Sequence, residues 1–86
     1  MEATENQIKA LNLINGKWVS GIDFAKLMWP NSNMHKRSNS VINSYGLSYL
    51  FKLKHRGWLA VKNHYTFTLS EQGKELLETV EHQNKG

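Results

Sequence analysis

Two short β-rich runs near the end of the sequence, residues 58–62 and 65–69, are separated only by Asn63 and His64. Aromatic and β-branched residues favour strands, and a connection this short joins antiparallel neighbours. Side chains two residues apart in a strand point to the same face. Leu59 and Val61 therefore share a face in the first strand, and Tyr65, Phe67 and Leu69 share a face in the second. We therefore expect a β-hairpin whose apolar faces lie side by side.

Capping patterns predict two helices before the hairpin. Thr4 with Gln7 forms a capping box, and the following apolar residues recur at helical spacing up to Gly16. Ser20 with Asp23 begins a second helix, which Pro30 stops. Between them, the brief β-prone stretch 17–19 is long enough to join the edge of the hairpin.

A third helix is expected from about Ser40 to Arg56, ended by Gly57. Its predicted buried stripe is Leu47, Leu50 and Leu53, and its other side carries Tyr45, Ser48, Lys52 and Arg56. Gly46 weakens this helix by roughly 1 kcal/mol relative to Ala, which favours a later start. Residues 31–39 show no periodicity and are predicted to form a polar loop.

A last helix is expected after the hairpin, with Ser70 as its cap. Leu76, Leu77 and Val80 form its apolar side, and Glu71, Glu75, Glu78 and Glu81 its acidic side. With 86 residues the chain is long enough for one core, so we expect a single domain over residues 1–86. The order of elements predicts an α+β fold.

Several classes of function are disfavoured by composition. The chain has no cysteine, and its four histidines lack the spacing of metal ligands, so we expect no metal and no cofactor. Asp23 is the only carboxylate between Asn6 and Ser70, which leaves no carboxylate pair for acid–base catalysis and favours a non-enzyme. Apolar runs are too short to span a bilayer and the first residues are acidic, so we expect a cytoplasmic protein without membrane contact.

Charge is segregated along the chain. Residues 24–70 contain no Asp or Glu, and all seven acids lie outside this stretch. The same stretch holds seven of the basic residues, namely Lys26, Lys36, Arg37, Lys52, Lys54, Arg56 and Lys62. Such a segment carries a positive potential that attracts phosphate.

The order of helix, short strand, two helices, hairpin and helix resembles the winged helix-turn-helix fold. Residues 50–59 resemble the end of a recognition helix that passes through a glycine into the first wing strand. Residues 65–77 resemble the return strand and following helix of MarR-like and PadR-like regulators. The resemblance implies a three-helix core, a short strand plus a β-hairpin wing, and a C-terminal helix.

The same resemblance implies binding to double-stranded DNA, sequence-directed or general, by a small transcriptional regulator. The helix at about 40–56 would then lie in the major groove, with the 58–69 hairpin as the wing. The expected DNA-binding residues are Lys36, Arg37, Ser38, Asn39, Ser40, Asn43, Ser44, Tyr45, Ser48, Lys52, Arg56, Lys62, Asn63 and His64. Asn can contact adenine edges, hydroxyls can contact bases or phosphates, and Lys supplies salt-sensitive phosphate contacts.

The same fold is compatible with other binding roles. Winged-helix domains also serve as protein–protein adaptors, here in a replication, recombination or mobile-element complex. A homodimer or a partner protein would then dock on the apolar side of the last helix, although that side can equally close the core. Single-stranded DNA or RNA is a third, weaker choice. Tyr49 is expected to pack, and Trp18, Trp29 and Trp58 are expected in the core or at its edge.

Overall fold

Four α-helices, one 3-10 turn and one β-hairpin form the part of the chain that the computed structural model describes, residues 3–62 and 66–85. In chain order the elements are α1 (Glu5–Ile14), α2 (Gly21–Met28), the 3-10 turn (Asn33–Lys36), α3 (Asn39–His55), β1 (Leu59–Lys62), β2 (Thr66–Leu69) and α4 (Glu71–Lys85). The expected α+β class is confirmed. None of these helices combines the length and apolar character needed to cross a membrane.

The predicted helix starts are confirmed by their hydrogen bonds. The Thr4 hydroxyl accepts from the Gln7 backbone N–H at 3.1 Å, and the Gln7 side chain accepts from the Thr4 N–H at 2.9 Å. The Ser20 hydroxyl accepts from the Asp23 N–H at 3.1 Å. Each cap satisfies backbone donors that the first turn of a helix leaves without a partner.

The predicted hairpin pairing and its edge stretch are confirmed, although Val61, expected on the apolar face, is 39% exposed, and Tyr65 lies outside the described residues. β1 and β2 pair antiparallel, with Leu59 opposite Leu69 and Val61 opposite Phe67. On the other edge of β2, Val19 exchanges two backbone hydrogen bonds of 2.8 Å with Phe67. β2 therefore lies between Val19 and β1, and this small sheet presents its apolar face to the helices.

One apolar core joins the helices to the sheet. Its fully buried large side chains are Leu11, Ile14, Phe24, Leu50, Leu53 and Phe67. α3 packs most extensively against α2, and the two backbones meet at Gly21 and Gly46. A methyl group on Gly46 would collide with the Gly21 carbonyl oxygen. The helical cost of Gly46 is thus offset by close packing, and α3 continues through it from Asn39 instead of starting later.

The expectation of an irregular loop over residues 31–39 is wrong in part. Residues Asn33–Lys36 form a 3-10 turn, and Ser38 already caps α3. The His35 ring donates from Nε2 to the Trp29 carbonyl oxygen over 2.7 Å, which ties the turn to the end of α2. A single 3-10 turn has too few residues to produce a periodic pattern, so the sequence carries no signal for it.

Aromatic packing confirms the expectation for Tyr49 and corrects that for Trp18. Tyr49 stacks on Phe24 with ring centroids 5.6 Å apart and meets Trp29 edge to face at 5.7 Å. Burial raises the pKa of the Tyr49 phenol above its ordinary value, because the anion is poorly solvated there. Trp58 is buried, but Trp18 remains 44% exposed beside the sheet edge. The position of Trp18 between two elements predicts a large side chain that fills the core. In the structure the core is packed without Trp18.

The end of α3 is joined to the start of α4. Gly57 has a φ of 84°, a left-handed conformation that ends the helix and that glycine adopts without strain. The Ser70 hydroxyl donates to the Gly57 carbonyl oxygen at 2.6 Å and accepts from the Gly73 N–H at 3.1 Å. Ser70 therefore caps α4, as expected, and also fixes the turn that leads from α3 into β1.

Candidate nucleic-acid interface

One face of α3 is left to solvent along the whole helix. Successive helical residues are rotated by about 100° from one another, so residues four, seven and eight apart share a side. The side that packs on the core carries Ile42, Gly46, Leu50 and Leu53, all buried. The opposite side carries Ser40, Ser44, Tyr45, Ser48 and Lys52, all exposed. These five residues were predicted from the sequence as DNA contacts, and we call them the outer face of α3.

A shallow depression runs along the outer face. It is lined by Ser40, Val41, Ser44, Tyr45 and Ser48. Tyr45 is 53% exposed although it is a large aromatic side chain, and Val41 one turn before it is half-buried. An aromatic ring in this position contributes little to the core. The depression therefore presents Val41, the ring of Tyr45 and four hydroxyl groups to a ligand that lies against α3.

Two cations stand at the N-terminal end of the outer face. Lys36 ends the 3-10 turn and Arg37 follows it, and both side chains are exposed. The Ser38 hydroxyl accepts from the Val41 N–H at 3.4 Å, so Asn39 and Ser40 lie in the first turn of α3. A helix N-terminus carries a partial positive charge. The first turn and the two cations together favour an anionic group at this end.

The C-terminal end of α3 is also basic, but its cations are held differently. Lys52 is exposed on the outer face. The Lys54 ammonium lies 5.9 Å from the centre of the Phe51 ring, and the Arg56 guanidinium lies 5.6 Å from that of Trp58. Cation–π contacts of this kind orient a cation without removing its charge. Lys52 thus extends the outer face, and Arg56 lies beyond its end, at the turn into the hairpin.

The hairpin adds one more predicted contact. Lys62 at the end of β1 is exposed, and its ammonium lies 4.4 Å from the centre of the Trp18 ring. This contact spans the outer side of the sheet, from β1 to the stretch that pairs with the far edge of β2. Asn63 and His64, the expected wing tip, lie outside the described residues. The hairpin thus supplies Lys62 as its described basic group.

Asn43 does not join the outer face. It is half-buried on the flank of α3 that meets α2, next to Gly21. Asn43 precedes Tyr45 by two residues, which corresponds to a rotation of about 200° around the helix axis. The two side chains therefore point in different directions. The structure therefore brings together the serines, Tyr45 and Lys52, with Lys36 and Arg37 at one end, and separates Asn43 from them.

Three further residues at or beside this surface were not predicted as contacts. Val41 lines the depression, and its spacing of four from Tyr45 was the available signal. His55 is exposed seven residues after Ser48, which puts it on the outer face as well. Trp18 lies under Lys62, and nothing in the local sequence indicates that pairing, because it arises from the sheet.

The elements that carry the predicted contacts contain basic residues and no acidic ones. α3, the 3-10 turn and the hairpin strands contain no carboxylate. The nearest acids belong to neighbouring elements, namely Asp23 on α2, which packs against α3, and Glu71 at the start of α4, which Ser70 joins to the turn after α3. Lys74 and Glu71 approach to 3.8 Å, an exposed pair within α4 itself. The basic groups around α3 therefore meet a negatively charged ligand without a competing carboxylate on their own elements.

The described residues contain no group of three or more His, Asp or Glu side chains placed to hold a metal ion. The sequence matches no known family model, and no significant match was found among curated proteins or solved structures. The geometry of the outer face and its charges therefore carry the functional argument.

Proposed function

We propose that the chain is a winged helix-turn-helix domain that binds double-stranded DNA and acts as a small transcriptional regulator. In this proposal α3 is the recognition helix in the major groove and the β1–β2 hairpin is the wing. The order of elements supports this proposal. In addition, the short segment between α1 and α2 pairs with the hairpin through Val19. The domain has a binding role, and the proposal includes no catalytic step or cofactor.

The observation that carries the proposal is the outer face of α3, which is exposed, free of carboxylates and basic at both ends. From Ser40 to Lys52 the helix rises about 18 Å, at 1.5 Å per residue. A B-DNA major groove is about 12 Å wide and admits one α-helix. Lys36 and Arg37 at one end and Lys52 at the other are spaced to reach phosphates on either side of the groove, while the serines and Tyr45 meet base edges.

The proposal predicts strongly salt-dependent binding. Each phosphate neutralised by Lys or Arg releases counterions, so four such contacts, from Lys36, Arg37, Lys52 and Lys62, lower the affinity roughly 150-fold between about 50 and about 200 mM salt. The measurement is a fluorescence-anisotropy titration with mixed-sequence duplex DNA at these two salt concentrations. A Lys52→Glu, Lys62→Glu variant should bind at least about tenfold more weakly and show a salt slope reduced by about two.

The matched control is Lys9→Glu, Lys74→Glu, which makes the same change in net charge on α1 and α4. Both lysines are exposed and lie outside α3 and the hairpin. This control should retain most of the wild-type affinity if the α3 side is the binding surface. Equal losses of affinity in the two variants would mean that binding depends on the net charge of the protein and not on the α3 side. No binding by the wild-type protein at low salt would reject the proposal and favour a protein–protein adaptor that docks through α4.

A further inference from the structure

The centre of the outer face differs chemically from its ends. No charged residue occurs between Arg37 and Lys52, a stretch of almost four helical turns. The depression there is lined by the apolar side chain of Val41, by Tyr45 with its aromatic ring and phenol hydroxyl, and by three serines, Ser40, Ser44 and Ser48. The cations thus flank a strip that is uncharged and partly apolar.

This composition favours some base edges over others. Guanine is most often recognised by Arg or Lys on its O6 and N7 atoms, and adenine by the amide of Asn or Gln. The strip has no cation, and the amide closest to its centre, that of Asn43, lies at the flank beside Gly21. Thymine is the base that presents a methyl group in the major groove, and apolar side chains contact it. Serine hydroxyls are compatible with any of the bases.

We propose that the outer face of α3 recognises thymine through the C5-methyl group, with Val41 and Tyr45 as the contacting residues. The inference rests on the proposed function, because it requires α3 to lie in the major groove. Val41 and Tyr45 are one turn apart on the same side of the helix, so the two side chains form one apolar patch. The flanking cations position the helix on phosphates, and the patch selects duplexes that carry pyrimidine methyl groups.

The experiment compares an alternating A·T duplex with the same duplex containing uracil in place of thymine. Uracil keeps every hydrogen-bonding group of thymine and lacks only the methyl group. Burying one methyl-sized group changes affinity about fourfold, so two contacted methyl groups give a preference of more than about tenfold for the thymine duplex. In a G·C duplex, replacing cytosine by 5-methylcytosine should likewise raise the affinity, because it adds the same methyl group in the major groove.

Two variants test which residues are responsible. Val41→Ala, Tyr45→Ala should bind the thymine and uracil duplexes with nearly equal affinity. Val80→Ala is the control, because Val80 is a half-buried helical valine on α4. It should keep the thymine preference. Circular dichroism of both variants establishes that the helices remain folded.

The possible results separate this inference from the function on which it rests. Wild-type binding that is tight but equal for thymine and uracil would overturn the methyl recognition and leave DNA binding intact. A thymine preference that persists in Val41→Ala, Tyr45→Ala would overturn the assignment to these residues. Failure to bind either duplex at low salt would overturn both proposals. A preference that is lost only in the α3 variant is the expected result.

Discussion

The two sides of α3 differ in what limits their side chains, which is packing on one side and exposure to solvent or a ligand on the other. On the core side, Gly46 is so close to Gly21 that no side chain fits, and Leu50 is completely buried. On the outer face, Ser44 and Ser48 are exposed, and Tyr45 is the largest side chain. Volume determines the first side, because protein interiors are close-packed. The chemistry of a ligand is free to determine the second.

This difference implies that changes on the two sides of α3 should separate stability from binding. A substitution on the core side alters the packing between α2 and α3. It affects ligand binding only if it changes the position of α3. A substitution on the outer face leaves the fit intact, since those side chains make few contacts within the domain.

Gly46→Ala should lower the free energy of unfolding by about 2 to 3 kcal/mol. The added methyl group meets the Gly21 carbonyl oxygen, so α2 and α3 must move apart, and this exceeds the gain of about 1 kcal/mol in helix propensity. Urea denaturation followed by circular dichroism measures the loss. Ser48→Ala in the same helix is the control and should change stability by less than about 0.5 kcal/mol. Equal stability of the two variants would mean that the backbones are not in contact at Gly46.

Ser70→Ala should lower the free energy of unfolding by about 1.5 kcal/mol. It removes the cap of α4 and the hydrogen bond to the Gly57 carbonyl oxygen, which holds the turn after α3. Ser20→Ala is the comparison, since it removes the cap bond to Asp23 at the start of α2 and should cost about 1 kcal/mol. Thermal unfolding of both variants measures the difference. A smaller loss in Ser70→Ala than in Ser20→Ala would contradict a stabilising role for the bond to Gly57.

Lys62→Ala should lower the free energy of unfolding by about 0.5 kcal/mol through loss of the contact with Trp18. Lys52→Ala on the outer face should leave stability within about 0.2 kcal/mol of the wild type, because an exposed cation of this kind contributes little. Urea denaturation of the two variants in parallel measures this contrast. Both should weaken DNA binding, so the pair separates a lysine with a structural contact from one available only to a ligand. Equal stability of the two variants would show that the Trp18 ring does not hold Lys62.

Much of the fold could be predicted from local patterns. The caps at Thr4 and Ser20, the turn at Gly57 and the cap at Ser70 all depend on residues a few positions apart, so a short stretch of sequence contains the whole interaction. The hairpin was equally local. The 3-10 turn was not predictable, because its four residues are too few for a periodic pattern and no sequence motif marks the bond between the His35 ring and the Trp29 carbonyl oxygen.

The candidate site was predicted less completely than the fold. Helical spacing correctly grouped Tyr45, Ser48 and Lys52 on one side of α3. The winged-helix resemblance implies that Asn43 is also a groove contact, and only the packing against Gly21 shows that it lies on the flank. The contact of Lys62 with Trp18 joins residues far apart in sequence and follows from the pairing of the sheet.

By itself the sequence determined the order and the approximate extent of the four helices and the hairpin, and that the segment from Phe24 to Ser70 would carry only positive charge. These properties follow from neighbouring residues and from composition. Only the tertiary structure decided that Gly46 would be used for close packing, that Trp18 would stay exposed and that Asn43 would leave the outer face. The physical reason is that each of these depends on which distant backbone or side chain occupies the adjacent space.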